Sequence, residues 1–333
     1  MNHKKQRVVV ITGASAGVGR AIAQEFAKQG AKLGLIARGE EKLDSTVAEV
    51  FALGGQAIAC PCDVSHEDDL EAAAVAIENK FGPIDIWINN AMVTMLGPVK
   101  EITSEEVRRI TEVNYLGSVN GILVANRRFL PRNSGHIIQI GSALAYLSIP
   151  LQSAYCASKH AVHGFIQSFR IELMTQKSQV KLSEIHLPAV NTPQFEWMEN
   201  DMPKHPMPVP PIFEPEVIGR AVTFIADNPR KELWVGGSTL KTILGAKFAP
   251  WLAEWKLARD GIKDQQTDRK GLTHKSNMWK PVNTDYGAKG IFSDIAKKRS
   301  FQLWLSMNRK SLGSASLVVV TGVLALLGTS RRL

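Results

Sequence analysis

Two side chains near the middle of the chain have the types and spacing for proton chemistry: Tyr155 and Lys159, within Tyr155-Cys156-Ala157-Ser158-Lys159. On a helix they lie four residues apart and share a face, which sets an ammonium beside a phenol. A free tyrosine titrates near ~10 and exchanges protons poorly at neutral pH. A neighbouring cation favours the phenolate and lowers that value, which is the role open to Lys159. Ser142 stands ahead of Tyr155 at the end of an apolar run, His136 to Gly141, that reads as a strand. From that strand end its hydroxyl can hold a substrate oxygen next to the tyrosine. The same spacing also occurs in ordinary surface pairs, and the motifs upstream decide between the two.

The elements that must position these groups alternate along the chain. Val8 to Thr12 is a short β-branched run, followed by a glycine-rich turn and a helical pattern from Arg20 to Gln29 that Gly30 closes. Further strands are expected at Lys32 to Ala37, Gln56 to Pro61, Ile84 to Asn89 and Val180 to Leu187, with a last one near Trp234-Val235-Gly236-Gly237. Helices are expected at Glu40 to Ala52, Glu67 to Lys80, Thr103 to about Phe129 and Glu214 to Ala226, with another bearing Tyr155 and Lys159. Strands separated by helices of this length point to a parallel sheet covered on both faces. The fold class is α/β, a doubly wound parallel sheet of Rossmann type, with a basic C-terminal extension.

Thr12-Gly13-x3-Gly17-x-Gly19 follows the first strand directly. Glycines there let the backbone turn tightly and approach a pyrophosphate, while the helix beginning near Val18 offers its N–H groups to it. After the second strand stands Ala37-Arg38, with no carboxylate at the position where an acid would take the ribose 2′-hydroxyl of NAD. A base there suits the 2′-phosphate, so the cofactor expected is NADP(H). Asp63-Val64 after the third strand is placed to meet the adenine edge, and Asn89-Asn90-Ala91 after the fourth lies where the chain passes the cofactor.

The glycine turn, Asp63, Asn89-Asn90-Ala91, Asn114, Ser142 and Tyr155-x3-Lys159, in this order, resemble the short-chain dehydrogenase/reductase family over about residues 7 to 240. The resemblance implies a single Rossmann-type domain in which Tyr155 is the general acid or base. It further implies that Lys159 lowers the tyrosine pKa and holds the nicotinamide ribose, that Ser142 orients the substrate oxygen, and that Asn114 completes a proton relay through water. Gly13, Ser15, Gly17, Val18, Gly19, Arg38, Asp63, Val64, Asn90 and Ala91 would line the cofactor, with Pro188 and Thr192 at its nicotinamide end. A homo-oligomer is also implied. Met92 and Ala189 stand where the family usually has glycine, and Ala16 where many NADP-dependent members carry a base.

Charge divides the chain. Residues 1–240 hold 23 Lys/Arg against 25 Asp/Glu, and residues 241–333 hold 17 against 6. The domain is therefore expected over 1–240, a basic, partly helical extension over 241–310, and an apolar segment over 311–333. That segment has no charge from Ser311 to Ser330, close to the twenty residues a bilayer core requires of a helix. Spanning, lying on and avoiding a membrane are all open to it, and a membrane surface is a candidate partner through residues 297–333. The three cysteines, 60, 62 and 156, are too few for a disulfide framework, and the polar start carries no secretory signal, so the cytoplasm is the expected compartment. No nucleic-acid partner and no metal are expected.

Eight of the sixteen prolines fall between Pro188 and Pro215, among Phe195, Trp197, Met198, Met202, Met207 and Phe213. Such a loop at the carboxyl end of a strand suits a lid over an apolar ligand. With Leu144, Tyr146, Leu147, Ile149 and Leu151 it suggests an apolar or lipid-like substrate. The function expected is hydride exchange between NADP(H) and a carbonyl or secondary alcohol. The rivals are a membrane-attached scaffold or sensor that keeps the cofactor, and an epimerase or dehydratase on the same fold.

Overall fold

The β-branched runs form the centre of a seven-stranded sheet in a computed structural model, which describes residues 6–271 and 276–309. The strands are β1 (Val8–Thr12), β2 (Lys32–Ala37), β3 (Gln56–Pro61), β4 (Ile86–Asn89), β5 (His136–Ser142), β6 (Lys181–Leu187) and β7 (Glu232–Trp234). All pair in parallel, in the spatial order β7-β6-β5-β4-β1-β2-β3. Every residue of β1 and of β5 is buried, as expected of strands covered on both faces. The order reverses between β1 and β4, and at such a switch point the carboxyl ends of the strands leave a crevice for a ligand.

The helices are α1 (Gly17–Ala27), α2 (Glu40–Ala52), α3 (Glu67–Phe81), α4 (Ser104–Ile110), α5 (Gly117–Phe129), α6 (Ser153–Thr175), the single turn α7 (Gln194–Trp197), α8 (Pro215–Asp227), α9 (Gly237–Phe248) and α10 (Pro250–Asp260). One face of the sheet is packed by Ile22 and Phe26 of α1 with Val217, Ile218 and Ile225 of α8. The other is packed by Leu70 and Ile77 of α3, Ile122 and Phe129 of α5, and Ile166 and Phe169 of α6. Each such side chain removed from water contributes about 1.5–3 kcal/mol, so the two layers fix the frame that holds the crevice.

The expected single helix from Thr103 to Phe129 is interrupted. Thr103 starts it with a reciprocal capping box, its side chain accepting from the Glu106 N–H. Residues Thr111–Leu116 then wind as a π-helix between α4 and α5. This bulge carries Asn114, whose Oδ1 accepts from Val93 N at 2.8 Å and whose Nδ2 donates to Val93 O at 2.9 Å. The wider turn lets one side chain bond both polar groups of a backbone residue, which hydrophobic periodicity cannot reveal.

The extension is stitched to the domain. Its helical part breaks at Ala249-Pro250, because Pro250 has no N–H to continue α9. Gln266–Lys270 pairs antiparallel with Lys204–Pro206 of the proline-rich loop. Gln302 receives a bond from Gly236 N at 2.8 Å and donates to Trp234 O at 3.0 Å, while Arg230 donates to Ser306 O at 2.8 Å. The apolar segment from Ser311 lies outside the described residues. Among the described residues, no helix is long and apolar enough to cross a membrane.

Candidate active site

Ser142 ends β5 in extended backbone, and its Oγ accepts from Leu144 N at 3.1 Å, starting a short turn over Ala143–Ala145. Facing it, α6 carries Tyr155 and Lys159 on the side toward the sheet. Lys159 is 5 % exposed, its Nζ donates to Ile140 O at 3.2 Å, and the same Nζ stands 5.6 Å from the centroid of the Tyr155 ring. Burial lowers its pKa to about 8, opposed by the negative charge of Glu184. Burial pushes the Tyr155 phenol above its ordinary value, while a hydrogen bond with Ser142 pulls it back part of the way. Desolvation is the largest influence on this phenol in the protein by itself.

The glycine turn sits at the other end of the same crevice. Gly17 has a φ of +56°, and a Cβ on Gly19 would fall on the carbonyl oxygen of Gly13. Asn90 braces this turn: its Nδ2 donates to Thr12 O at 3.0 Å and to Gly13 O at 3.3 Å, while its N–H donates to Thr12 Oγ1 at 2.9 Å. Ala91 N also donates to Thr12 Oγ1, at 3.1 Å. A cavity of about 420 Å³ joins the two ends. Gly13, Ser15, Gly17, Val18, Arg38, Asp63, Val64, Asn90, Ala91, Pro188 and Thr192 line it together with Ser142, Tyr155 and Lys159. Gly19 and Asn114 do not line it: Gly19 lies against Gly13 O, and Asn114 bonds the backbone of Val93, which does line it. These residues could hold a dinucleotide, the Cβ-free turn offering room and N–H groups for a pyrophosphate and Arg38 a positive charge for the ribose end.

Arg38 and Asp63 are already engaged. The guanidinium of Arg38 donates to the carbonyl of Asn277 and to those of Met278 and Trp279, each at 3.2 Å. Asp63 pairs with Arg109 and accepts from Ser65 N at 3.0 Å and Ser65 Oγ at 2.8 Å, which holds its carboxyl below the usual range despite burial. Lys42, on the first turn of α2, also lines the cavity, is 6 % exposed, and has no ion pair among the described residues. Its Nζ lies 5.4 Å from the centroid of Trp197. The four-residue spacing from Arg38 was the available signal for it.

Residues 277–290 form a strap over the glycine turn. Gly287 O accepts the N–H of Gly17 at 3.1 Å, and Asp285 pairs with the buried Arg20 at 2.5 Å and accepts from Ser45 Oγ at 2.6 Å. Tyr286 meets Trp197 edge-on at 5.0 Å, and Gly290 N donates to Asn191 O at 3.2 Å. Asn277, Pro281 and Val282 line the cavity. The proline-rich loop supplies the apolar wall through Phe195, Trp197, Met198 and Met207, and its pairing with Gln266–Lys270 pins it in place.

Beneath Lys159, two strands and α6 assemble a cluster that separate sequence positions did not announce. His163 Nδ1 bonds Glu184 Oε2 at 2.8 Å, His186 Nε2 lies 3.6 Å from the same oxygen, and Tyr146 donates to Glu232 at 3.0 Å. Ligand-type atoms of His163, Glu184 and His186 lie within 4.8 Å of one another, and hydrogen bonding with Gln167, Tyr146 and Ser142 O occupies the remaining ring nitrogens. His160 instead bonds Cys156 O at 2.9 Å, at the surface.

The family model for short chain dehydrogenase matches residues 7–202. The chain belongs to the short-chain dehydrogenase/reductase family. It is an oxidoreductase of that type. It is 30% identical over 325 residues to the uncharacterized oxidoreductase YxnA of Bacillus subtilis (strain 168), covering 96% of this chain and 90% of the relative. It is 34% identical over 172 residues to dehydrogenase/reductase SDR family member 7 of Homo sapiens, covering 50% of this chain and 51% of that one. An alcohol dehydrogenase from Thermococcus sibiricus, solved with 5-hydroxy-NADP, superposes with a TM-score of 0.61 at 27% identity over 69% of this chain and 96% of its own. A short-chain dehydrogenase/reductase from Burkholderia phymatum, solved with NAD, gives 0.66 at 25% over 77% and 97%. Against this short-chain dehydrogenase/reductase background, Met92 and Ala189 both line the cavity where the family usually has glycine.

Proposed function

We propose that this short-chain dehydrogenase/reductase interconverts a carbonyl and a secondary alcohol on an apolar, lipid-like substrate with NADP(H), Tyr155 being the general acid/base. One observation supports the reading: a single cavity is lined by Ser142, Tyr155 and Lys159 and also by the two cations Arg38 and Lys42. When bound, the nicotinamide would supply or take up the hydride. Ser142 Oγ orients the substrate oxygen, and Tyr155 Oη gives it or takes from it the proton. Lys159, anchored on Ile140 O, stands where its charge stabilises the phenolate. The Asn114 side chain is committed to Val93 and, at 3.2 Å, to Ser158 Oγ. Its part in a proton relay would run through its backbone carbonyl, which accepts from Ser118 Oγ at 2.7 Å and keeps a second lone pair. NADP(H) is favoured because no carboxylate ends β2, and the half-buried Arg38 and the buried Lys42 flank its end.

The test is Tyr155→Phe assayed on a panel of apolar ketones and alcohols with NADPH and with NADH. Turnover should fall by at least ~100-fold with cofactor binding kept, within the usual contribution of a positioned acid/base; unchanged turnover would refute the assignment. The strap over Gly17 favours one second reading, a sensor that retains its cofactor. Copurifying cofactor with no turnover on any carbonyl would select it. For self-association we propose the exposed apolar side chains Leu123 of α5 and Ile171 and Met174 of α6, to be tested by sedimentation equilibrium.

A further inference from the structure

We propose that the outer face of α9 and α10 docks on an acidic lipid bilayer, with the substrate cavity opening beneath it. Leu244, Phe248, Trp251, Leu252, Trp255 and Ile262 are all exposed, Phe248 at 82%, Trp251 at 70% and Trp255 at 58%. α10 buries none of its residues. A helix of its length is marginal in water by propensity alone and ordinarily gains its stability from a packed apolar face. Here that face has no partner within the described chain.

Charge identifies the occupant. Residues 241–263 carry five bases, Lys241, Lys247, Lys256, Arg259 and Lys263, against two acids, Glu254 and Asp260. Arg259 and Asp260 pair with each other at 2.8 Å, and Lys247 turns its ammonium back to the rings of Tyr146 and Trp234, at 5.3 and 5.6 Å, so the outward excess sits on the exposed Lys241, Lys256 and Lys263, with the exposed Asp264 beside the last. Tryptophan and phenylalanine interleaved with lysine suit the boundary between headgroups and acyl chains, where rings bury their apolar bodies and ammonium groups reach acidic headgroups. A second copy of the chain would bring the same net positive face against itself across a two-fold axis, which like charges oppose.

The face also lies at the cavity. Thr242 of α9, Leu257 of α10 and the following Gly261 belong to the cavity wall, which the apolar side chains Leu147, Ile149 and Met207 also line. A substrate dissolved in the bilayer would then reach Tyr155 without crossing water. This delivery half rests on the lipid-like substrate proposed above; the docking half does not. Both are separate from the segment beyond residue 309.

The test uses the full chain with vesicles of phosphatidylcholine alone and with ~30% phosphatidylglycerol, following co-sedimentation and amide hydrogen exchange. Acidic vesicles should bind the protein and slow exchange in peptides covering 241–263. Trp251→Glu with Trp255→Glu should lose both, on the order of tenfold or more in partition, and high salt should weaken binding. Lys241→Glu with Lys256→Glu and Lys263→Glu should do the same through charge alone, and thermal melts confirm that the variants fold. Unchanged exchange in 241–263 while the protein sediments, or equal binding by the variants, would overturn the proposal and assign attachment to another segment. Absence of binding would overturn it, as would protection of 241–263 that grows with protein concentration without vesicles, the mark of a second copy.

Discussion

Lys42→Met isolates the charge expected to choose the cofactor. Methionine keeps most of the apolar stem that packs beside Trp197 and removes only the ammonium. A phosphate oxygen about 4 Å from a cation gains about 4 kcal/mol at an effective dielectric of 20, an upper figure for a partly wetted cleft. Charge-assisted hydrogen bonds measured by mutation are worth about 1.5–3 kcal/mol, or about 10–150-fold. We therefore expect kcat/KM for NADPH to fall about 10–100-fold in Lys42→Met while that for NADH changes less than about threefold. pH supplies a second signature. Burial, and then the charge of Arg38, lower the pKa of Lys42, and Asp285 opposes them. The preference for NADPH should fade in the wild type as pH rises through that depressed value, but not in the variant. Arg38→Ala should instead weaken both cofactors, since Arg38 also holds the carbonyls of residues 277–279. Equal losses of NADPH and NADH in Lys42→Met would refute this assignment.

Other outcomes follow from burial. Lys159→Met should abolish turnover yet stabilise the fold by about 2–3 kcal/mol at pH 7, because a lysine lowered to about 8 costs folding while it is charged in both states; denaturant titrations should show the gain shrinking from about pH 8 to 10.5. His136, buried on β5 and bonded to Ser183 Oγ at 2.8 Å, has its pKa lowered to about 4 by burial. Its contribution is complete above the unfolded value near ~6.5 and is lost as pH falls toward about 4, so His136→Asn should flatten acid unfolding in that window. Gly19→Ala should yield protein that does not bind dinucleotide, measured by fluorescence titration, because the added methyl falls on the Gly13 carbonyl. Wild-type affinity in that variant would show that the turn relaxes.

Local pattern was sufficient where one residue's neighbours in sequence are its environment. β1, β2, β3 and α2 run over the residues the apolar pattern predicts; for β1 and β2 the reason is that a strand buried on both faces must be a continuous apolar run. β4 starts later than the run from Ile84 suggests: Ile84 is fully buried, but its N–H donates to the Glu78 side chain and its carbonyl accepts from Arg132, and backbone bonding to the neighbouring strands begins only at Asp85. The π-helical turn at Asn114 left no trace in periodicity, since its cause is the backbone of Val93. Arg38 was legible as the base after β2. Its three carbonyl partners were not, being some 240 residues away.

The sequence by itself determined the candidate reactive set, Ser142, Tyr155 and Lys159, and the order of elements that brings them to the carboxyl end of a parallel sheet, because residue type and spacing are local properties. Tertiary structure alone decided how those groups titrate and what closes over them. Burial is the largest influence on the Tyr155 phenol. The strap reaches Gly17 from Gly287, and Glu184 reaches Lys159 from another strand. Desolvation and long-range pairing belong to the packed whole, and no window of the chain contains them.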